Sequence, residues 1–205
     1  MQKTKPKRYE DYAYVLDIFP AAQRRRLATH HAIGKSEFIV QLLGEEYFTL
    51  LEAAVSERYK PKIGMRIYIG RDAPRELIRI VRRIGIEDLT ETARLNLEAT
   101  IQRVVNENEQ RFVDFFNKSN PLTPRLHALE LIPGVGKKML QKLLEERDAK
   151  PFESYEDVKN RVGLLDPPGS ISKRILDELM NKEEKYRIFV REPAPTGERH
   201  HKLNP

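Results

Sequence analysis

The residues best suited to chemistry lie in one short loop, residues 132–138, which reads Ile-Pro-Gly-Val-Gly-Lys-Lys. Gly134 and Gly136 can take backbone conformations closed to other residues and allow a ligand to approach the main chain. A helix that begins at about Gly136 directs its unpaired N–H groups and the positive end of its dipole into this loop. Lys137 and Lys138 add positive charge beside those donors. The loop is therefore suited to holding a phosphate without reading a base.

Apolar residues at helical spacing flank the loop on both sides: Leu126, Leu129 and Ile132 before it, and Met139, Leu140, Leu143 and Leu144 after it. This pattern predicts a helix, a tight loop and a second helix. It resembles the helix-hairpin-helix motif of DNA-binding and DNA-repair proteins, which implies binding to a nucleic-acid backbone; a purely structural turn is the alternative. The candidate contacts of this first loop are Pro133, Gly134, Val135, Gly136, Lys137 and Lys138.

A second, less regular copy of this pattern is predicted downstream. Ser154 followed by Asp157 has the spacing of a capping box that opens a short helix. Within residues 164–176, a Pro-Gly turn then leads into a basic pair and another apolar-periodic helix. The candidate contacts of this copy are Gly169, Ser172 as the helix cap, Lys173 and Arg174. It lacks a second glycine and carries an inserted residue, so packing alone is an open alternative for this copy.

The N-terminal part of the chain is rich in β-branched and aromatic residues. Strands are predicted at residues 12–19, 37–43, 65–69 and 78–84. Residues 45–58 are predicted to form a helix, and a fifth strand is expected in residues 86–89 or 186–190. Strands and one helix around a small core favour a five-stranded oligonucleotide-binding (OB) barrel.

Basic and aromatic residues on these strands are further candidate contacts. An exposed tyrosine among arginines can stack a base while the cations neutralise the backbone, although tyrosine is also common on ordinary sheet faces. Arg66 and Tyr68 alternate with apolar residues and should share the less buried face. The remaining candidates are Arg79 and Arg83 on the next strand, and Arg24, Arg25 and Arg26 in the long loop after the first strand.

The expected architecture is an α+β multidomain fold in four parts. A small OB-like β-barrel domain with a basic N-terminal arm occupies residues 1–89, and one long connecting helix, capped by Thr90, occupies residues 90–118. An all-α tandem helix-hairpin-helix domain follows at residues 119–185, and a C-terminal strand or tail at residues 186–205. In such tandem domains the two loops straddle the backbones of a duplex.

Composition limits the function further. The 205 residues carry a net charge of +6, but residues 119–185 hold equal numbers of acidic and basic residues, so attraction for nucleic acid must come from the loop face. The absence of cysteine excludes thiolate metal sites, and the adjacent His200 and His201 lack further ligands at metal-binding spacing. We expect no metal, no cofactor, no membrane span and a cytoplasmic protein.

Three segments together point to a family. The strand at residues 12–19, the sequence Arg-Phe-Val-Asp-Phe-Phe-Asn at residues 111–117 and the loop at residues 132–138 resemble the archaeal family known as domain of unknown function 655. The resemblance covers nearly the whole chain. It implies a barrel followed by tandem hairpins and binding of a nucleotide or nucleic acid, and it implies no reaction.

Three classes of function follow from these patterns. The first is a non-catalytic protein that binds DNA or RNA largely independently of sequence. The second is a protein-interaction or dimerisation module, since tandem hairpins also pair with one another. The third is a DNA-repair enzyme of the helix-hairpin-helix glycosylase or nuclease type, for which Asp148 and Asp157 are the available acids. No catalytic constellation is evident in the sequence, and nucleic-acid binding is the function we expect.

Overall fold

The first part of the fold is a curled five-stranded antiparallel sheet. The computed structural model describes residues 9–21 and 37–191. The strands are β1 (Tyr12–Pro20), β2 (Glu37–Gly44), β3 (Leu50–Ser56), β4 (Arg66–Tyr68) and β5 (Ile78–Arg83). Their order across the sheet is β4-β1-β2-β3-β5, so β4 and β5 form its two edges.

A helical part follows the sheet and makes the fold α+β. Helices α1 (Glu91–Glu107) and α2 (Glu109–Lys118) precede a small hairpin of β6 (Pro121–Thr123) and β7 (Leu126–His127). Helices α3 (Lys137–Ala149), α4 (Tyr155–Val162) and α5 (Pro167–Met180) come next. Short 3-10 turns lie at Ile86–Asp88 and Ala128–Leu131.

Both faces of the sheet are buried along the three central strands, β1, β2 and β3. Side chains of one face pack against the helices and include Tyr14, Leu16, Leu43 and Leu50. Side chains of the other face fill the inside of the curl and include Ala13, Val15, Leu42, Leu51 and Ile67. Neighbouring residues of a strand point to opposite faces, so β1, β2 and β3 each contribute to two cores and read as nearly continuous apolar runs.

The four strands predicted from the sequence are confirmed, but the helix predicted at residues 45–58 is wrong. Most of that segment is β3, which pairs with β2 from Leu43 opposite Leu50 to Glu37 opposite Ser56. Apolar residues buried on both faces show no strict alternation, and their spacing fits a helix equally well.

A turn at residues 45–49 joins β2 to β3, and a buried carboxylate holds it. Glu10 accepts hydrogen bonds from the backbone N–H groups of Glu46, Tyr47 and Thr49, at 2.9, 3.1 and 3.0 Å. Phe48 has a φ of 49° there, and its side chain is fully buried against the helices. The turn therefore depends on a residue more than thirty positions earlier in the chain.

The strand that the sequence analysis did not predict is β3. Neither of the two segments predicted for a fifth strand, residues 86–89 and 186–190, is a strand of the sheet. Residues 86–88 form a 3-10 turn, and residues 186–190 belong to neither sheet of the described chain. The predicted OB-like barrel is observed only as a curled open sheet, because β4 and β5 do not pair with each other.

The connecting segment is two helices. Thr90 caps α1 as predicted, since its hydroxyl accepts the N–H of Ala93 at 3.1 Å. The prediction of a single long helix is wrong, because the backbone leaves helical geometry at Asn108, with φ −114° and ψ 37°. The Asn108 side chain donates to the Val104 carbonyl at 2.9 Å, a local bond of the kind that competes with helix continuation.

A polar network joins the start of α1 to the sheet. The Thr90 hydroxyl donates to Asp17 at 2.6 Å, and the Thr90 N–H donates to the Gln41 side chain at 2.9 Å. The Gln41 amide donates to the buried Glu52 at 3.3 Å, and Glu52 pairs with Arg82 at 2.9 Å. Hydrogen bonds therefore fix the helix start directly on β1 and β2 and link it through Gln41 and Glu52 to β3 and β5.

A fully buried carboxylate, Glu178 of α5, organises the end of the described chain. It accepts three consecutive backbone N–H groups, those of Ile188, Phe189 and Val190, at 2.9, 3.1 and 2.8 Å. It also pairs with Arg174 at 2.9 Å. A buried charge is stable only with such compensation, so residues 188–190 and Arg174 are fixed together.

This arrangement returns the chain to the sheet. The Phe189 ring packs against those of Phe112 and Phe115, with centroids 5.5 and 4.9 Å apart. The Arg191 N–H then donates to the Tyr47 carbonyl at 3.0 Å, in the turn between β2 and β3. One hydrophobic core accordingly runs from Tyr14 of the sheet to residues near the end of the described chain.

We expect the substitution Glu178→Ala to lower the free energy of unfolding by about 3–5 kcal/mol, because it leaves a buried guanidinium and three backbone donors without an acceptor. Glu183→Ala, at an exposed position that makes no ion pair within the described residues, is the control and should change it by less than about 0.5 kcal/mol. Urea unfolding measures both, and equal stability of the two variants would contradict the role of Glu178.

Candidate functional site

The loop at residues 132–138 is packed on its inside. Ile132 and Val135 are 1% and 5% exposed, and the Val135 N–H donates to the Ile132 carbonyl at 3.0 Å. Gly134 lies between them with a φ of +92°, which side-chain-bearing residues rarely adopt. Pro133 is only partly buried beside it. Val135 thus fills the inside of the turn.

The α-helix predicted before the loop is wrong. Leu126 belongs to β7, and residues 128–131 form a 3-10 turn of four residues. The apolar residues Leu126, Leu129 and Ile132 recur every three positions, and a 3-10 turn has three residues per turn. The spacing therefore fits this shorter structure as well as it fits an α-helix.

Helix α3 begins directly after Gly136, as predicted, and its first turn carries no acidic residue. Gly136 has extended backbone angles, φ −89° and ψ 178°, and supplies no side-chain cap. A Cβ built on Gly136 would meet no atom within 4 Å, so the approach to the loop is open. The first N–H groups of α3 and the positive end of its dipole therefore face an unobstructed space.

The two lysines beside this helix start differ in their pairing. Lys137 is 74% exposed, forms an ion pair with Glu130 and lies 3.4 Å from the Arg125 carbonyl. This pair lowers the pKa of Glu130, with a smaller contribution from the His127 N–H. Lys138 is exposed and makes no ion pair within the described residues. Lys138 is therefore available to bind an anion, whereas Lys137 must leave Glu130, whose side chain is 11% exposed, to reach one.

His127 stabilises the turn that precedes the loop. Its Nδ1 accepts the Leu129 N–H at 3.1 Å and caps the 3-10 turn that leads into the loop. The side chain is 6% exposed, and within the described structure its Nε2 has no hydrogen-bond partner. Burial, and then the charge of Arg147, lower the pKa of His127 against an opposing effect of Glu130.

The lowered pKa of His127 means that the folded protein favours the neutral imidazole. This preference stabilises the fold above the ordinary histidine pKa of about 6.5, and the stabilisation is lost as the pH falls below that value. We expect the free energy of unfolding to fall between pH 7 and pH 5.5 more steeply for the natural protein than for His127→Asn, which keeps a capping acceptor without a titrating ring. Parallel pH profiles of the two proteins would contradict this assignment.

The second loop has a different geometry from the predicted one. Gly163 ends α4 with a φ of +91°, close to the value at Gly134, and Leu164 after it is 5% exposed. Gly163 and Leu164 are therefore the counterparts of Gly134 and Val135. The predicted turn at Pro168 and Gly169 is wrong, because both residues lie in the first turn of α5.

An acidic residue caps the N-terminus of α5. Asp166 is the N-cap, and its carboxylate accepts the Gly169 N–H at 3.0 Å. The prediction that Ser172 caps this helix is wrong, since Ser172 lies inside α5, buried, and donates to the Pro168 carbonyl at 2.8 Å. A carboxylate thus occupies the place that an incoming phosphate would take. Ser154, by contrast, caps α4 as predicted and accepts the Asp157 N–H at 3.1 Å.

The two basic residues of the second copy, Lys173 and Arg174, differ in exposure. Lys173 is exposed. Arg174 is 8% exposed, pairs with Glu178 at 2.9 Å and donates to the Tyr186 carbonyl at 2.5 Å. Arg174 therefore serves the packing of the chain end, and the second copy presents a single lysine.

On the sheet, Arg66 and Tyr68 share the less buried face of β4, as predicted. The Arg66 guanidinium lies 3.6 Å from the centroid of the Tyr12 ring, and the Tyr12 and Tyr68 rings are in tilted contact with centroids 5.3 Å apart. Arg66 also pairs with Glu45 at 2.8 Å, and hydrogen bonding to that carboxylate raises the pKa of Arg66. The arginine is thus engaged within the protein, while Tyr68 stays 36% exposed.

Arg79 and Arg83 line one cavity of about 550 Å³ beside the edge strand β5. We call it the arginine cavity, because its wall carries Arg71, Arg75, Arg79, Arg83 and Arg191. Sequence reasoning missed three of these five. Arg71 and Arg75 lie in the connection between β4 and β5, and Arg191 is more than a hundred residues away, so only the fold brings them together.

The acids considered for catalysis, Asp148 and Asp157, do not line the arginine cavity. Asp148 is 80% exposed and lies 3.8 Å from Arg147, whereas Asp157 pairs with Arg161 at 3.0 Å. Within the described residues, no group of three or more histidines, aspartates or glutamates could hold a metal ion. The helices of the described chain are too short or too polar to cross a membrane. Arg24, Arg25, Arg26, His200 and His201 lie outside the described residues.

The fold and these sites define an α+β protein in which a curled sheet shares its core with a helical part carrying a glycine-lysine loop. A family model described as "Protein of unknown function (DUF655)" matches residues 9–191. The chain therefore belongs to the DUF655 family, as its sequence resemblance predicted.

Two archaeal proteins are similar over most of the chain. The uncharacterized protein MJ0038 of Methanocaldococcus jannaschii is 40% identical over 191 residues, which are 93% of this chain and 84% of that protein. The crystal structure of Af1531 from Archaeoglobus fulgidus, also matched by DUF655, has 41% sequence identity and a TM-score of 0.74. That match covers 89% of this chain and 100% of the Af1531 chain.

Proposed function

We propose that this protein binds DNA or RNA without catalysis and that the first loop, with Gly134, Gly136, Lys137 and Lys138, holds the phosphate backbone. The observation that carries this proposal is the uncapped start of α3, which opens toward solvent beside the two lysines. Backbone N–H groups and flexible ammonium groups bind phosphate oxygens without contacting base edges. The binding is therefore largely independent of sequence.

The second loop contributes by packing. Its glycine geometry matches that of the first loop, which supports the interpretation of the pair as a degenerate tandem of helix-hairpin-helix units with a shortened first helix. Asp166 neutralises the start of α5, and Arg174 is buried with Glu178. We therefore expect this tandem to hold one phosphate site rather than two.

The sheet supports the same class of function. Its five strands, in the order β4-β1-β2-β3-β5, form a curled half-barrel that is open between β4 and β5, and curled five-stranded sheets bind oligonucleotides in OB-folds. Tyr12 and Tyr68 lie in tilted contact and partly exposed at the β4 edge, where a base can stack on an exposed ring face. We infer that the sheet supplies additional contacts to a strand held by the loop.

We expect the double substitution Lys137→Glu and Lys138→Glu to weaken binding to a fluorescent duplex, DNA single strand or RNA single strand by at least about tenfold. It should also reduce the slope of log affinity against log salt by about two, because two phosphate contacts are lost. Fluorescence anisotropy at several salt concentrations measures both quantities and ranks the three nucleic acids.

Two control variants make this test specific. Lys60→Glu with Lys62→Glu changes the net charge equally at two exposed lysines remote in sequence from the loop, and Lys173→Glu probes the second loop. Each should alter affinity by less than about threefold, since long-range surface charge is screened. If the control pair weakens binding as strongly as the loop pair, attraction is diffuse and the proposed site is wrong.

An interaction surface is the second candidate, and one observation favours it. Leu165 at the second loop is 81% exposed, although its neighbour Leu164 is buried. Under this alternative the natural protein elutes as a dimer, and Leu165→Asp converts it to a monomer. Light scattering coupled to size exclusion decides this, and a natural protein that is already monomeric at high concentration would eliminate self-association through Leu165.

A further inference from the structure

The arginine cavity lies where the curled sheet fails to close. β4 and β5 are the edge strands, and the cavity is bordered by Ile69 and Gly70 after β4, by the connection that follows them and by Ile78 and Ile80 of β5. Leu51, Ile69 and Ile78 belong to the core inside the curl, so the cavity opens from that core outward. Its volume of about 550 Å³ is in the range of small-molecule sites.

The wall of the cavity carries a large excess of positive charge. Five arginines line it, and Glu10 is the acid among the lining residues. The Glu10 carboxylate is buried and accepts the N–H groups of Glu46, Tyr47 and Thr49, so it is committed to the turn between β2 and β3. The wall therefore carries more cations than acids, although Arg79 and Arg191 have contacts of their own within the protein.

Arg83 shows the effect of this excess most directly. Its side chain is partly buried and makes no ion pair within the described residues. Burial, and then the charge of Arg191, lower the pKa of Arg83. Arg79 and Arg191 have contacts of their own within the protein, so Arg83 is the cation that gains most from an added anion.

A hydroxyl group and apolar surface complete the site. Thr49 lines the cavity, is 7% exposed, and its Oγ1 has no hydrogen-bond partner in the described structure. Such an unsatisfied buried hydroxyl is costly unless a ligand or water meets it. Ile80 and the Tyr9 ring, 39% and 52% exposed, offer apolar surface on the same wall. The Arg71 guanidinium lies 5.7 Å from the centroid of that ring.

We propose that the arginine cavity binds a nucleotide unit that ends in a phosphate monoester, with the phosphate on Arg83 and its neighbouring arginines and the base on Ile80 and Tyr9. A phosphate monoester carries a charge of about −1.5 to −2, which suits a cluster of guanidinium groups better than the single charge of an internal phosphodiester. The unit is either a free nucleotide or the phosphorylated end of a strand. This site uses none of the residues proposed for the loop, so each proposal can fail without the other.

The probe is adenosine monophosphate, titrated into the full-length protein by calorimetry. Adenosine and inorganic phosphate, each lacking half of the unit, should bind at least about tenfold more weakly. Arg83→Gln should weaken binding of adenosine monophosphate by roughly tenfold or more, while Arg58→Gln, at an exposed arginine outside the cavity, should leave it unchanged. No saturable binding at millimolar nucleotide, or equal binding by Arg83→Gln, overturns the proposal.

A second variant separates binding from folding. Thr49→Val removes the unpartnered hydroxyl with little change of shape, so the variant should be at least as stable as the natural protein. It should nevertheless bind adenosine monophosphate several-fold more weakly. Unchanged nucleotide affinity in this variant would contradict the placement of the ligand against Thr49.

Two oligonucleotides distinguish the sources of the nucleotide. A single strand with a 5′-phosphate that binds more tightly than its 5′-hydroxyl counterpart, with the difference lost in Arg83→Gln, identifies a strand end. Equal binding of both strands together with saturable binding of adenosine monophosphate identifies a free nucleotide. The double variant Lys137→Glu and Lys138→Glu should keep its affinity for adenosine monophosphate, and a parallel loss there would mean that no separate cavity site exists.

Discussion

The buried carboxylate of Glu178 is the interaction on which the tertiary arrangement depends. An isolated carboxylate in an apolar interior is strongly unfavourable, and here Arg174 and three consecutive backbone N–H groups compensate it. These bonds hold the chain end against α5, place Phe189 among the rings of α2 and bring Arg191 to the turn between β2 and β3. Glu178 also holds Arg174 away from the surface. The same carboxylate therefore both fixes the chain end and removes a cation from the protein surface.

The two loops show how a local substitution changes what a repeated backbone geometry can do. Gly134 and Gly163 have nearly the same positive φ, and a buried apolar residue follows each. The helix after the first loop starts at Gly136, which leaves its N–H groups without a side-chain acceptor, whereas the helix after the second starts at Asp166, which supplies one. The capping residue therefore distinguishes the loop that we propose to bind phosphate from a structural turn.

Much of the local structure could be predicted from the sequence, because short-range physics decides it. Four strands, the caps at Thr90 and Ser154 and the start of α3 after Gly136 are confirmed. The errors occur where an apolar run fits two structures. Residues 50–56 are buried on both faces and read as a helix, and the three-residue spacing before Pro133 fits a 3-10 turn as well as an α-helix.

By itself the sequence determined the family, the glycine-lysine loop and its exposed positive charge, since each can be recognised from short runs of residues that are adjacent in the chain. The tertiary structure alone decided which cations remain available. Arg66 pairs with Glu45 and Arg174 with Glu178, and the charge of Arg191 acts on Arg83 although the two are more than a hundred residues apart in the chain. The reason is that pairing and burial of a charge are set by distances in space, which the curl of the sheet and the return of the chain end establish only after folding.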